Sequence, residues 1–219
     1  AVSGILIVSN QGYKRKESFG IILNSLNNFP EDDKISTEEW LEAHKTAHEI
    51  GLRSNVTMMF GSVEEPIHWA RHLIRTRELQ RETGGFTEFV GLPFVHMASP
   101  IYLRKGARRG PTFRENLLVH AIARIVYHGY IDNIQASWVK IGLDGMKQML
   151  QAGVNDVGGT LNGENISRAA GAKHGQMLGK SQFEELCQPL GRELIQRTTL
   201  YKTHRGPEGQ RKHIPVAAG

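Results

Sequence analysis

Four short apolar runs, separated by segments of helical periodicity, constrain this chain more than any other feature. The runs are residues 55–60, 86–92, 134–140 and 154–157, each of strand length and apolar on both faces. A strand buried on both faces belongs to a parallel sheet covered by helices, and alternation of strand with helix supplies the crossovers that such a sheet needs. The predicted class is α/β.

Between the runs, the start and stop signals are specific. Ser36 with Glu39 forms a capping box, Trp40, Ala43, Ala47 and Ile50 follow at helical spacing, and Gly51 stops the helix. Pro66 suits the first turn of a second helix that carries Trp69, Leu73 and Ile74 inward and ends at Gly84-Gly85. Pro111-Thr112 with Glu115 opens a third, with Leu118, Ala121, Ile122 and Ile125 on one face. Further helices are expected over 143–152, 164–172 and 181–190, and a last strand-like segment over 194–201. Residues 1–30 are a divergent segment with room for one or two short strands. Residues 202–219 are basic and punctuated by Pro and Gly, and are expected to be disordered. The chain starts with Ala, so a processed or partial sequence is expected.

Parallel strands place their C-terminal ends on one rim, where α/β folds of this type bind and react. The rim residues are Gly61, Ser62 and Glu64, then Pro93 and His96, then Ser137, Trp138 and Lys140, then Asp156, Gly158, Gly159 and Thr160. Gly158-Gly159 lets the backbone turn sharply and lets a ligand approach its N–H groups. The full dinucleotide fingerprint is absent, so a plain strand-to-helix connection fits that turn equally well. His96 is placed for acid–base or hydrogen-bonding work. Glu64 and Glu65 precede a helix, where negative charge is favourable.

Other chemistries are set aside. The histidine pairs His44/His48 and His68/His72 lack a third ligand and read as surface or capping residues, so no metal site is assigned. The single cysteine, Cys187, allows no internal disulfide and reads as a buried structural thiol. The chain has 27 basic and 22 acidic residues, and Lys202, Arg205, Arg211 and Lys212 fall in the tail. The body is therefore only slightly basic, and nucleic acid is not the expected partner. The basic run 104–109 reads as a solvated loop that could steer an anion. No apolar run approaches the roughly 20 residues of a membrane span. A cytoplasmic protein is expected.

Five motifs in order carry a resemblance: Thr57-Met58-Met59-Phe60-Gly61, Gly85-Phe86-Thr87-Glu88-Phe89-Val90, Leu92-Pro93-Phe94-Val95-His96, Asn133-Ile134-Gln135-Ala136-Ser137-Trp138-Val139-Lys140 and Asn155-Asp156-Val157-Gly158-Gly159-Thr160-Leu161. Together they resemble the second half of a radical S-adenosylmethionine enzyme of the FO (7,8-didemethyl-8-hydroxy-5-deazariboflavin) synthase family, in its 4-hydroxyphenyl transferase part. The aminofutalosine synthase group of menaquinone biosynthesis is similar and shares Gln135-Ala136-Ser137-Trp138 and Gly158-Gly159-Thr160.

The resemblance implies a (β/α)8 barrel of the TIM type, of which residues 31–201 would supply about the last four βα units and a C-terminal extension. It also implies a 4Fe-4S cluster and S-adenosylmethionine, cleaved to a 5′-deoxyadenosyl radical that abstracts hydrogen from tyrosine. The 4-hydroxyphenyl fragment is then joined to 5-amino-6-(D-ribitylamino)uracil. By the same resemblance, Gly61 and Glu64 lie near S-adenosylmethionine, while His96, Gln135, Ser137, Asn155, Asp156 and Thr160 face the substrates. The sequence departs from the family where it has one cysteine rather than a three-cysteine loop, Ser62 in place of the usual His, and Met97 where Gln is common. A fragment is expected, inactive alone and dependent on a missing N-terminal half or partner chain. The alternatives are a fragment of an aminofutalosine-type enzyme or a non-catalytic basic binding module.

Overall fold

The computed structural model describes residues 36–159 and 178–202. The segment 1–30, Thr160, the helix expected from Glu164 and the tail beyond Lys202 lie outside the described residues. In chain order the elements are α1 (Thr37–Glu49), β1 (Ser54–Phe60), α2 (Pro66–Thr83), β2 (Phe86–Pro93), α3 (Pro100–Leu103), α4 (Phe113–Val126), β3 (Ile134–Ala136), α5 (Trp138–Ile141), α6 (Leu143–Gln151) and α7 (Lys180–Cys187). A 3-10 turn at Gln188–Leu190 follows α7. Among the described residues, no helix is long and apolar enough to cross a membrane.

The capping boxes form as the sequence dictates. Ser36 Oγ accepts from the Glu39 N–H while the Glu39 carboxylate accepts from Ser36 N, and Thr112 and Glu115 repeat the exchange at the start of α4. The strands form one parallel sheet in the order β1-β2-β3, pairing Thr57 with Val90, Phe60 with Pro93, and Val90 with Gln135.

Two strands are shorter than the apolar runs that announced them. The third run was expected to be strand as far as Lys140, but β3 ends at Ala136. Lys140 N and Ile141 N donate to Ser137 O, coiling the rest into a helical turn that sends Trp138 and Val139 into the core. The fourth run makes a single parallel bridge, Gln135 to Asp156. Residues 194–201, expected to be strand-like, instead end in a turn in which Tyr201 N donates to Thr198 O. Periodicity cannot separate strand from buried helical turn over runs this short.

Among the described residues, helices pack on one face of the sheet. Phe60 meets Trp69 of α2 and His120 of α4 edge-on, and Phe89 packs against His120 and Tyr127. The register shifts at the start of the β1–β2 ladder, where Ser54–Val56 faces Phe86–Phe89. Such a bulge interrupts the alternation, which lets Phe86 and Phe89 serve the same core. Beyond it, Glu88 and Val90 occupy the face opposite Phe89.

The inward faces of three helices differ from expectation. On α1, Trp40, His44, Ala47 and His48 are buried while Ala43 is exposed and Ile50 is 72% exposed. The two histidines, expected as surface or capping residues, are buried where Ser54 and Thr83 meet three of their four ring nitrogens and Phe86 packs on both rings. His44 Nδ1 and His48 Nε2 lie 2.9 and 2.8 Å from Ser54 Oγ, and His48 Nδ1 lies 2.7 Å from Thr83 Oγ1. On α2, Leu73 is buried as expected, Trp69 is half-buried, and Ile74 turns outward while His72 and Thr76 turn in. On α4, Leu118, Ile122 and Ile125 are exposed, and Asn116, Val119, His120 and Ala123 face the sheet. The missing side chain at Gly91 leaves the space that His120 fills.

Candidate active site

The loops that leave the C-terminal edge of the sheet hold Gly61 to Glu64, Phe94 to His96, Ser137, and Val157 to Gly159. This edge is the predicted rim. Gly61 adopts φ +91°, and a Cβ there would lie 2.2 Å from Pro111 Cδ, so the residue must be glycine for both conformation and space. Its loop closes on Glu64, whose buried carboxylate accepts from the N–H groups of Gly61, Ser62 (3.0 Å) and Val63 (3.1 Å) and from Trp69 Nε1 (2.9 Å). Three convergent backbone donors and an indole fix the carboxylate and so shape the loop. The Glu64 carboxylate is thus already engaged by its own loop and by Trp69.

His96 is half-buried, with its ring edge-on to Tyr102 at 4.7 Å, and Arg109 Nε donates to the Tyr102 hydroxyl. Arg108 pairs with Glu115 at 2.8 Å, so part of the basic run 104–109 is folded against α4. Ser137 is half-buried and caps α5 through its backbone carbonyl, without a side-chain cap. Trp138 Nε1 donates to Gly159 O (3.1 Å) and tethers the Gly158-Gly159 turn to the third strand loop.

Gln135 and Asp156 sit deeper, on the face opposite the helices. Asp156 Oδ1 accepts from Gly158 N (2.8 Å), and its Oδ2 accepts from Arg197 Nε (2.5 Å) and from the Tyr201 hydroxyl (2.5 Å). The same arginine reaches Gln135 Oε1 (3.3 Å) and Glu88 Oε2 (3.5 Å), and the Tyr201 hydroxyl also bonds Glu88. Burial pushes the Glu88 carboxyl up and the neighbouring Asp156 charge adds to this, against the opposing bonds from Tyr201, Arg197 and Asn55. Burial also pushes the Tyr201 phenol strongly up.

The structure does not bring Asn155 to this face. Its Oδ1 accepts from Ile134 N and Arg124, both at 2.8 Å, and its Nδ2 donates to Asp132 O, stitching the N-terminal side of β3 to the chain before it. Thr160 lies outside the described residues. Sequence reasoning missed Glu88, Arg197 and Tyr201. A glutamate inside the otherwise apolar run 86–92 was the available signal, since one charge in a buried strand must find a partner.

An iron–sulfur cluster of the three-cysteine kind does not fit this chain. Cys187 is the single cysteine, buried on α7 with its thiol pushed up by that burial. Among the described residues, no group of three His, Cys, Asp or Glu side chains is arranged to hold a metal.

A parallel sheet covered by helices, with polar loops gathered at its C-terminal edge, places the described residues among α/β scaffolds, a class that carries chemistry at strand ends. The chain belongs to the CofH/MqnC C-terminal region family, which matches residues 83–208. It is 53% identical over 168 residues to an FO synthase of Nocardia farcinica, covering 77% of this chain and 19% of that protein. An FO synthase of Mycobacterium tuberculosis is 52% identical over the same length, with 20% of that protein covered. The 5-amino-6-(D-ribitylamino)uracil--L-tyrosine 4-hydroxyphenyl transferase of Methanocaldococcus jannaschii is 44% identical over 209 residues, covering 88% of this chain and 58% of that protein. The chain therefore spans about a fifth of the FO synthases and somewhat over half of the transferase.

Proposed function

We propose that this chain is the substrate-facing half of a radical S-adenosylmethionine (β/α)8 barrel that transfers the 4-hydroxyphenyl group of tyrosine to 5-amino-6-(D-ribitylamino)uracil in deazaflavin biosynthesis. One observation carries this reading: 44% identity extending over 88% of the chain to a relative named for that transfer. One-sided helix packing on a parallel sheet is what a barrel segment requires, since the opposite face must line the interior.

In the parent enzyme, the cluster and S-adenosylmethionine supply hydrogen abstraction, and the cluster ligands come from outside this chain. His96, Gln135, Ser137, Asp156 and Thr160 face tyrosine and the aminouracil, and Gly61 with Glu64 lies next to S-adenosylmethionine. Asn155 supports this set from the far side of β3 through its bonds to Ile134 N and Asp132 O. The setting is cytoplasmic, and the chain is inactive alone.

The family description names MqnC beside CofH, and an aminofutalosine-type parent of menaquinone biosynthesis is the second reading. A reconstituted full-length parent, offered each pathway's substrates in turn, separates the two. Consumption of tyrosine with the ribityl-uracil supports the first reading, and consumption of the futalosine-pathway substrate alone overturns it.

A further inference from the structure

We propose that Glu88 and Asp156 form a singly protonated carboxyl pair, with Glu88 the neutral acid, clamped by Arg197 and Tyr201 as positioning residues for the Gly158-Gly159 turn. Two independent counts lead there. The first concerns hydrogens. The Tyr201 hydroxyl has one proton, yet its oxygen lies within hydrogen-bond distance of both Glu88 Oε2 and Asp156 Oδ2. The phenol can donate to one of them, so the other contact needs a proton on the carboxyl side.

The second count concerns charge. Both carboxyl groups are buried, Glu88 at 9% exposure and Asp156 at 7%, and Arg197 is the one cation hydrogen-bonded to either among the described residues. Two carboxylates against one guanidinium would leave a net buried negative charge, and two close carboxylates resolve that conflict by sharing a proton.

Geometry chooses the site of the proton. Arg197 Nε lies 2.5 Å from Asp156 but its NH2 is 3.5 Å from Glu88, and Asp156 also receives the Gly158 N–H. The short guanidinium bond and the backbone N–H thus gather on Asp156 rather than on Glu88. Glu88 is left to donate to the Tyr201 oxygen, which donates in turn to Asp156. The other group reaching Glu88 is the neutral amide of Asn55 on β1.

The clamp is held firmly. The Arg197 guanidinium stacks 4.1 Å over the Tyr201 ring, and Tyr201 adopts φ +57°, a left-handed conformation that a bulky residue keeps only when its surroundings impose it. Because Asp156 Oδ1 bonds Gly158 N, what fixes Asp156 also fixes the turn above it. The proton count holds whether or not the parent carries out aryl transfer.

The test is isotope-edited infrared spectroscopy of this chain labelled in glutamate, near pH 6, well above an ordinary glutamate value of about 4.3. A protonated-carboxyl band is expected, and it should disappear in Glu88→Gln. A spectrum with ionised glutamate alone overturns the proposal. Thermal unfolding gives the second readout. Glu88→Gln keeps a neutral donor and should lie within about 2 °C of the parent chain near pH 6, while Asp156→Asn, which leaves Arg197 uncompensated, should fall further. A raised folded value means that the Glu88 contribution is complete at acid pH and lost as pH rises through that value. Glu88→Gln should therefore flatten the decline on the alkaline side. Equal losses in the two variants at every pH would identify Glu88 as an ionised partner of Arg197 and overturn the proposal.

Discussion

The His120 imidazole occupies the space over β2 that a side chain on Gly91 would need: a Cβ at Gly91 would lie 2.6 Å from His120 Nε2. The ring is fully buried and anchored by Nδ1 to Asn116 O at 2.8 Å, so it has little freedom to retreat. Gly91→Ala should destabilise the chain by about 1–3 kcal/mol through overpacking. His120→Ala should recover part of that loss in the double variant, and urea unfolding of the four proteins gives the coupling directly. Strict additivity would show that the contact is relieved without cost.

The Glu64 carboxylate organises the loop after β1, so Glu64→Gln should loosen it. The amide keeps one acceptor oxygen for donors that now converge on two, and leaving a buried N–H unpaired costs about 1–3 kcal/mol. Loss of the bond from Trp69 Nε1 should also change indole emission, with Trp69→Phe identifying the signal. Unchanged stability and emission would place the carboxylate outside the turn.

Acid should loosen α1. Burial holds His44 down to about 4 and His72 to about 3, and burial also lowers His48. Each folded value lies below the ordinary one near 6.5, so the unfolded chain binds protons more readily. The stabilising contribution is complete above about 6.5 and is lost as pH falls through the folded values. His44→Gln removes one titration and should lessen the fall in Tm between about pH 6.5 and 4. Parallel curves for variant and parent chain would contradict this account.

Asn155 and Ser137 should separate by readout. Asn155→Ala removes an acceptor from Ile134 N and a donor to Asp132 O, and should lower stability by about 1–3 kcal/mol, with little change in KM of the reconstituted parent. Ser137→Ala and His96→Ala should leave Tm nearly unchanged and lower kcat/KM. The reverse pattern would move Asn155 into the site.

The parallel order of strands and both capping boxes were legible because they rest on local signals: apolar runs of fixed length, and Ser36/Glu39 and Thr112/Glu115 at fixed spacing. Helix orientation was not. On α4 the apolar set Leu118, Ile122 and Ile125 looked like a core face, yet the sheet receives Val119, Ala123 and His120. That outcome depends on a glycine in another element. The loops bearing Gly61, Glu64, His96 and Ser137 follow from strand direction, whereas the pairing of Glu88 with Arg197 and Tyr201 spans 109 and 113 residues of sequence. No local pattern encodes such a contact.

The most direct measurement joins this chain to an N-terminal half from a related transferase, one that carries the three-cysteine loop. The two are assembled anaerobically with iron, sulfide and S-adenosylmethionine, and supplied with tyrosine and 5-amino-6-(D-ribitylamino)uracil. The account predicts coupled 4-hydroxyphenyl product from the pair and none from either half. Product from the N-terminal half alone, or a correctly assembled, cluster-loaded pair that leaves tyrosine untouched, would contradict it.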